Sequence, residues 1–412
     1  MNHPPHRPYA VLAVPAFRWY ALNLLLATLG IQIQGVVVSW QVYEITKDPL
    51  ALGAIGLAEV IPFIGAALFA GHVADTASRK LVVFWAQACL LLCGVALIVL
   101  SLFPSMPHPV LLLYGIVAVG GLARSFLMPA RTALIAELLP PELYAGAVRW
   151  RGALFQTASV IGPAIGGLLW AFGGAKVACS VVALLLGGAL ACLAGIPGTP
   201  ATPPAKVESI WISLTGGISF MFSEPLLLGA ATLDMFAVLF GGAVALLPIF
   251  SAEILHAGPQ GLGILRAAPA AGAVAMSLLL AHRPPFRRAG LALFSAVIIF
   301  GLCMIGFGLS TSFLLSFAFL AVSGAADEVS VVVRQTILQL RTPRQLLGRV
   351  AAVNSIFIGS SNEIGAFESG LAARWLGTVV SVVAGGVATL AVTGAAAWRF
   401  PVLRKLGSIE PR

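Results

Sequence analysis

Between Leu81 and Phe103 the chain carries no charged residue, and between Leu50 and Ala70 it carries only Glu59. An α-helix needs about 20 apolar residues to cross the hydrocarbon core of a bilayer. Between these two runs lies the charged patch Gly71-His-Val-Ala-Asp-Thr-Ala-Ser-Arg-Lys80. A short charged loop between two such runs reads as a turn at a membrane surface. The arrangement recurs along the chain. Spans are expected at 18–42, 50–72, 80–103, 110–136, 147–171, 177–197, 226–252, 259–281, 289–310, 312–338, 348–373 and 377–399. The runs show no period-two alternation, so helices are favoured over barrel strands. Only 9% of the 412 residues are charged and 59% are hydrophobic. A soluble domain averages about 25% charged, so this chain cannot clothe a water-facing surface. Its 44 glycines suit helices that pack closely in lipid.

The formal net charge of +9 would suit nucleic acid. It suits cytoplasmic loops better, so no nucleic-acid partner is expected. The cysteines, Cys89, Cys93, Cys179, Cys192 and Cys303, fall inside apolar runs without metal-like spacing and read as packing residues. The histidines lie near loops or ends and form no ligand pair, so no metal is expected. No phosphate-cradling glycine loop and no nucleophile–base pair is present, so neither ATP, nor a cofactor, nor an enzymatic activity is expected. The polar, Pro-rich segment Met1–Phe17 precedes a full-length span and does not read as a cleavable signal peptide.

Lys and Arg fall mostly on one side of the expected membrane. That side holds Arg7, Arg79, Lys80, Arg149, Arg151, Lys206, Arg283, Arg287, Arg288, Arg341, Arg344, Arg349, Arg404, Lys405 and Arg412; the other holds Lys47, Lys176 and Arg374. The asymmetry places the Gly71–Lys80 loop and both termini in the cytoplasm, with an even number of spans. The chain also repeats itself. Sliding 121–171 onto 324–374 superposes Gly121 on Gly324, Arg131 on Arg334, Pro140 on Pro343, Ile161-Gly162 on Ile364-Gly365 and Gly167-Leu168 on Gly370-Leu371. A shift of 203 residues is close to half the length, as a parallel duplication requires. The expected organisation is a cytoplasmic tail 1–17, a first half 18–197, a cytoplasmic linker 198–225 with an amphipathic lead-in at Ile210–Phe222, a second half 226–399 and a cytoplasmic tail 400–412.

Gly71-x-x-x-Asp75-x-x-x-Arg79-Lys80 resembles the signature loop of the major facilitator superfamily, with Thr76 and Ser78 standing where that loop usually has a basic residue and a Gly. Phe126-Leu-Met-Pro-Ala130, Gln335-Thr-Ile-Leu-Gln339, Thr342-Pro343, Gly348-Arg-Val350 and Asn362-Glu-Ile-Gly365 resemble the branch that contains the enterobactin exporters. The resemblance implies the major facilitator fold: an all-α integral membrane protein with twelve transmembrane helices in two parallel-repeat six-helix halves. Gly162-Pro163-Ala-Ile-Gly166-Gly167 resembles the superfamily's antiporter motif, which implies export, although Arg149 and Ala158 replace its earlier glycines. On physical grounds alone, Pro163 permits a bend and the glycines permit tight crossing.

In the loop, Gly71 would let two helix ends approach. Asp75 can pair with Arg79 or Arg131, forming with Lys80 a latch on the cytoplasmic side; the plainer reading is that Arg79 and Lys80 only hold topology. Ionisable residues inside spans are costly and are functional candidates by default. Proton-coupling candidates are Glu363, Asp327, Glu59, Asp234, Glu328 and Glu368, because a carboxyl shielded from water can hold and release a proton near neutral pH. The alternative is that Arg124 and Arg266 neutralise some of them in structural pairs. Asn23, Gly30, Gln34 and Gln41 share one helical face, as do Ser355, Gly359, Asn362, Ala366 and Ser369. These stripes line a cavity or bond between helices. Cavity candidates are therefore Asn23, Gln34, Gln41, Arg124, Arg266, Ser355 and Asn362.

The expected function is proton-coupled export of a small organic molecule, a siderophore or amphipathic drug, across the bacterial inner membrane. A monomer would work by rocking its halves around a midplane cavity, with cargo, protons and the bilayer as partners. Alternatives are a lysolipid flippase or importer, or a non-transporting receptor or scaffold on the same fold.

Overall fold

A computed structural model describes residues 9–103, 105–198, 210–284, 286–343 and 346–407. All regular structure among the described residues is helical. The main helices are α1 (Pro15–Thr46), α2 (Pro49–Thr76), α3 (Arg79–Leu102), α4 (Pro109–Leu138), α5 (Tyr144–Cys192) and α6 (Ile210–Ser223). They are followed by α7 (Pro225–Phe240), α8 (Gly258–Ala281), α9 (Ala289–Leu309), α10 (Phe313–Arg341), α11 (Leu347–Leu376) and α12 (Thr378–Arg399). Proline opens α1, α2, α4 and α7, where its missing N–H would have no helical partner anyway. Pro62, Pro129, Pro163 and Pro269 lie inside helices, which neighbouring helices in a membrane bundle tolerate.

Among the described residues, ten helices are long and apolar enough to cross a membrane, and two features separate that number from the sequence expectation. Pro141–Gly195 runs as a single 55-residue helical stretch. At ~1.5 Å per residue it exceeds twice the ~30 Å hydrocarbon core. It breaks at Gly174, whose φ of 64° is open to glycine without strain. The spans expected at 147–171 and 177–197 are thus two arms joined without a loop. The 30-residue α11 carries Asn354, Asn362, Glu363 and Glu368, and its polarity keeps it outside the ten.

The span expected at 226–252 is interrupted. α7 stops at Phe240, and a 3-10 turn (Ala243–Leu246), a short helical turn (Leu247–Ile249) and a π-helical turn (Phe250–Ile254) follow. The break falls at Gly241-Gly242, where a Cβ on Gly242 would lie 2.7 Å from the Gly365 carbonyl. Of the expected linker 198–225, residues 199–209 lie outside the described residues. The lead-in is the helix α6, packed on α11 so that a Cβ on Gly217 would lie 2.9 Å from the Arg349 carbonyl.

The chain divides into two compact units: unit 1 comprises Met1–Val38 and Ile61–Lys206, unit 2 comprises Ser39–Val60 and Val207–Arg412. The later part of α1 and the first part of α2 therefore belong with the second repeat. Unit 2 has an apolar core of Leu226, Leu233, Leu293, Phe294, Val333 and Ile337 with their neighbours. In it, α8 and α10 nearly touch backbone to backbone. A Cβ on Gly272 would lie 1.7 Å from the Ala321 carbonyl oxygen, and one on Gly324 1.9 Å from that of Pro269.

Candidate functional site

Unit 2 holds two charge clusters. In the first, Arg334 of α10 pairs with Asp234 of α7, both side chains being at most a tenth exposed. A second carboxylate, Asp327, lies 3.9 Å from the same guanidinium and is 48% exposed. Asp327, Ser330 and Arg334 are spaced three and four apart and share one helix face. Arg334 Nε donates to Ser330 Oγ at 3.1 Å. Two carboxylates on one guanidinium leave formal charge −1 in the cluster. A cavity of about 10 Å³ opens beside it, lined by Asp234, Asp327, Ser330, Val297 and Phe300, at the lower bound for holding one water.

The second cluster is centred on Arg266 of α8. Its Nη1 donates to Ser39 Oγ at 3.4 Å, and the acids that attract it are Glu363 of α11 and Glu59 of α2. Glycine brings these elements together: a Cβ on Gly56 would lie 3.1 Å from Glu363 Oε2 and 2.5 Å from the Glu363 carbonyl oxygen. A Cβ on Gly53 would lie 2.8 Å from the Ala366 carbonyl oxygen. Again two carboxylates meet one arginine. Towards the Lys47 turn, Tyr43 Oη donates to Glu253 Oε1 at 2.9 Å, and Arg374 Nη1 donates to Asp48 Oδ2 at 3.3 Å.

These contacts revise the expected pairing. Arg334, not Arg124 or Arg266, pairs with Asp234 and lies nearest Asp327, whereas Arg266 is attracted by Glu59, one of the partners expected for it. Sequence reading passed over Arg334 as a partner, although its seven-residue spacing from Asp327 puts both on one face of a helix. The two remaining coupling candidates have hydroxyl partners: Glu328, which also feels Asp327, has Ser277, and Glu368 has Ser369.

The polar stripe of α1 does not act as one surface. Asn23 is 1% exposed. Its Nδ2 donates to Gln87 Oε1 at 2.9 Å and to the Ala189 carbonyl at 2.6 Å, and Gln87 Nε2 returns a bond to Asn23 Oδ1 at 3.0 Å. That amide ties α1 to α3 and α5, the interhelical bonding that is the alternative to cavity lining. Gln34 is buried and Gln41 has a buried oxygen without a partner. Arg124 Nε turns back to the Gly120 carbonyl at 3.3 Å. On α11, Ser355 and Asn362 are exposed and bond to their own helix, to the Ala351 and Ile358 carbonyls at 3.0 Å each. The glycine motif of α5 packs on α1: a Cβ on Gly162 would lie 2.7 Å from Gln32 Cβ, and one on Gly166 3.3 Å from Ile33 Cα. Pro163 and Gly167 are buried beside them.

In the charged loop, Arg79 pairs with Glu137 at the end of α4, and Lys80 Nζ donates to the Ile196 carbonyl. No described atom lies within 4 Å of a Cβ placed on Gly71, so its expected role in close approach is not exercised here. The side chain of Asp75 lies outside the described residues. Arg131 is 7% exposed and faces Tyr20 of α1. No group of three metal-ligating side chains occurs among the described residues.

Residues 6–410 match the family model described as transmembrane secretion effector. The enterobactin exporter EntS of Shigella flexneri is 29% identical over 382 residues, covering 92% of this chain and 90% of that protein. EntS of Escherichia coli O1:K1 is 28% identical over the same length. Among solved structures, a POT family transporter in complex with 5-aminolevulinic acid superposes with a TM-score of 0.73 at 11% identity, covering 96% of this chain and all of the other. A bacterial homologue of the human lysosomal transporter Spinster, inward-facing and occupied, gives 0.71 at 15% identity with 98% of each chain covered.

Proposed function

Because the chain belongs to the transmembrane secretion effector family of the major facilitator superfamily, related to the siderophore-exporter branch, we propose that it is a proton-coupled exporter. At the coarser level it is a multi-pass membrane protein and a secondary-active transporter of small organic molecules. Its proposed form is twelve spans in two halves working by alternating access as a monomer, with both termini in the cytoplasm of a bacterium. Cargo of the siderophore or amphipathic drug class is suggested by the exporters it resembles.

The observation that carries the coupling is the charge imbalance of unit 2. Arg334 pairs with Asp234 and has Asp327 at 3.9 Å, and Arg266 is attracted by both Glu363 and Glu59. One added proton neutralises either cluster, and a group that changes charge can bias which way a carrier faces. Glu363 and Asp327 are the proposed carriers. Glu363 joins α11 to α2 through Gly56, and Asp327 is the exposed member of its cluster. The potential adds about 2.3 kcal/mol per charge at 100 mV. In the loop, Asp75 with Arg79, Lys80 and Gly71 remains the proposed cytoplasmic latch, with the Arg79–Glu137 pair anchoring it to α4.

The test is flux in proteoliposomes under an imposed pH gradient. Wild type moves a fluorescent cationic or anionic amphiphile against its gradient. Glu363→Gln and Asp327→Asn lose gradient-driven accumulation by about tenfold or more, the factor given by ~1.4 kcal/mol of lost coupling, yet retain exchange without a pH gradient. If both variants accumulate the amphiphile as wild type does, the coupling assignment is wrong.

A further inference from the structure

Among the described residues, the buried side-chain atoms without a hydrogen-bond partner are Tyr20 Oη, Gln41 Oε1, Arg131 Nε, Arg131 Nη2 and Thr342 Oγ1. Three of them come from two residues of unit 1 that act on each other electrostatically, Tyr20 and Arg131. The next charge felt by Tyr20 is another cation, Arg151. Tyr20 is 1% exposed and Arg131 7%.

A buried cation with no acid partner among the described residues is costly. The unmet atoms also have a shape. Nε and Nη2 form one edge of the guanidinium, and that edge places two parallel N–H groups at the spacing of the two oxygens of a carboxylate. Tyr20 adds an O–H able to donate to the same group. Arg124 lies seven residues before Arg131 on α4, and therefore on the same helix face. The field in this part of unit 1 is cationic, whereas the clusters of unit 2 have acids in excess.

Resting on the transporter reading above, we propose that the Arg131 edge and Tyr20 form a binding site for the carboxylate, or an equivalent two-oxygen anion, of the cargo. Cargo is held through charge in the first repeat, and protons are held in the second. The site is occluded in the present conformation.

The test uses the purified full chain in a neutral detergent. Salicylate is the probe, salicylamide its uncharged counterpart and inorganic phosphate the mimic of a lipid headgroup. Salicylate raises the unfolding temperature of wild type; salicylamide and phosphate do not. Arg131→Gln weakens the apparent affinity for salicylate by about tenfold or more, as loss of a bidentate charged pair requires. Should Arg131→Gln fail to fold, Arg131→Lys keeps the charge without the paired edge and shows the same loss, and Tyr20→Phe shows a smaller one. Asp75→Asn binds as wild type.

Wild-type salicylate affinity in both Arg131 variants overturns the site, as does the absence of any salicylate response. An equal response to phosphate assigns the site to a headgroup and overturns the cargo assignment. Binding that appears only in Asp75→Asn makes Asp75 the resident partner and overturns it too. Failure of gradient-driven flux with salicylate binding intact would instead defeat the transporter reading and leave the anion site standing.

Discussion

Arg131 and Arg334 fall in one register when the chain is slid onto itself by 203 residues; Arg131 is buried, and the Arg334 side chain is 10% exposed. Their surroundings are opposite. Arg334 has Asp234, Asp327 and Ser330 within reach. Arg131 has Tyr20, and its Nε and Nη2 have no hydrogen-bond partner. The difference lies in two substitutions. Asp327 stands where the first repeat has Arg124, and the same offset puts Asp234 on Ile31. A duplication that keeps an arginine while changing its neighbours turns one scaffold into two instruments. One is a cluster with acids in excess. The other is a cation with donors to spare.

The sharpest way to break this comparison is to remove each arginine. Arg334→Leu strands the Asp234 carboxylate inside the bundle, and should lower stability by about 3–5 kcal/mol, as for a broken buried pair. Thermal unfolding in detergent would register it, and adding Asp234→Asn should recover part of the loss. Arg131→Leu removes a cation that has no acid beside it among the described residues. Its stability cost should be far smaller, with salicylate affinity falling instead. Equal stability losses at the two sites would mean that Arg131 has an acidic partner in the folded protein.

A smaller effect is expected at the α8–α10 contact, whose rigidity holds Arg334 in place. Gly324→Ala puts a methyl group 1.9 Å from the Pro269 carbonyl and should cost about 1–3 kcal/mol through overpacking. Its first-repeat counterpart, Gly121→Ala, serves as the control measured in the same way. In unit 1, Asn23→Ala leaves the Gln87 amide unsatisfied, at about 1–3 kcal/mol. The double variant Asn23→Ala/Gln87→Leu should regain most of that, since replacing both partners leaves nothing polar unpaired. No recovery would return Asn23 to a cavity-lining role. The smallest change is at the loop: Arg79→Gln should shift stability by under about 1 kcal/mol. If the latch reading holds, it nevertheless changes flux; unaltered flux would reduce the loop to a topology signal.

Much of this architecture was legible in the chain. Uncharged runs of spanning length dictate membrane helices because no other use of such segments avoids exposing backbone or apolar surface. The repeat offset and the Gly71–Lys80 loop were likewise readable. Less legible were the joints. Lys176 looked like part of a loop between spans, yet only Gly174 departs from helical geometry in Tyr144–Cys192. α7 looked continuous until Gly241-Gly242, where the neighbouring Gly365 backbone occupies the space a side chain would need. Periodicity reports which face of a helix is apolar, not whether the helix goes on.

The candidate site was half legible. Glu363, Glu59 and Arg266 were identifiable singly, because a charge inside a span is conspicuous. Their grouping was not, since it depends on Gly53 and Gly56 admitting α2 against α11. Asn23 misled because a polar stripe looks the same whether it faces water or another amide.

The sequence by itself determined that this is a helical, multi-pass membrane protein with ionisable residues inside its spans, because the cost of burying an unpaired peptide group in lipid is large and forces apolar runs of spanning length into helices. Only the tertiary structure decided which charges meet. Pairing depends on side chains from helices hundreds of residues apart, and on close approaches that a single Cβ would prevent.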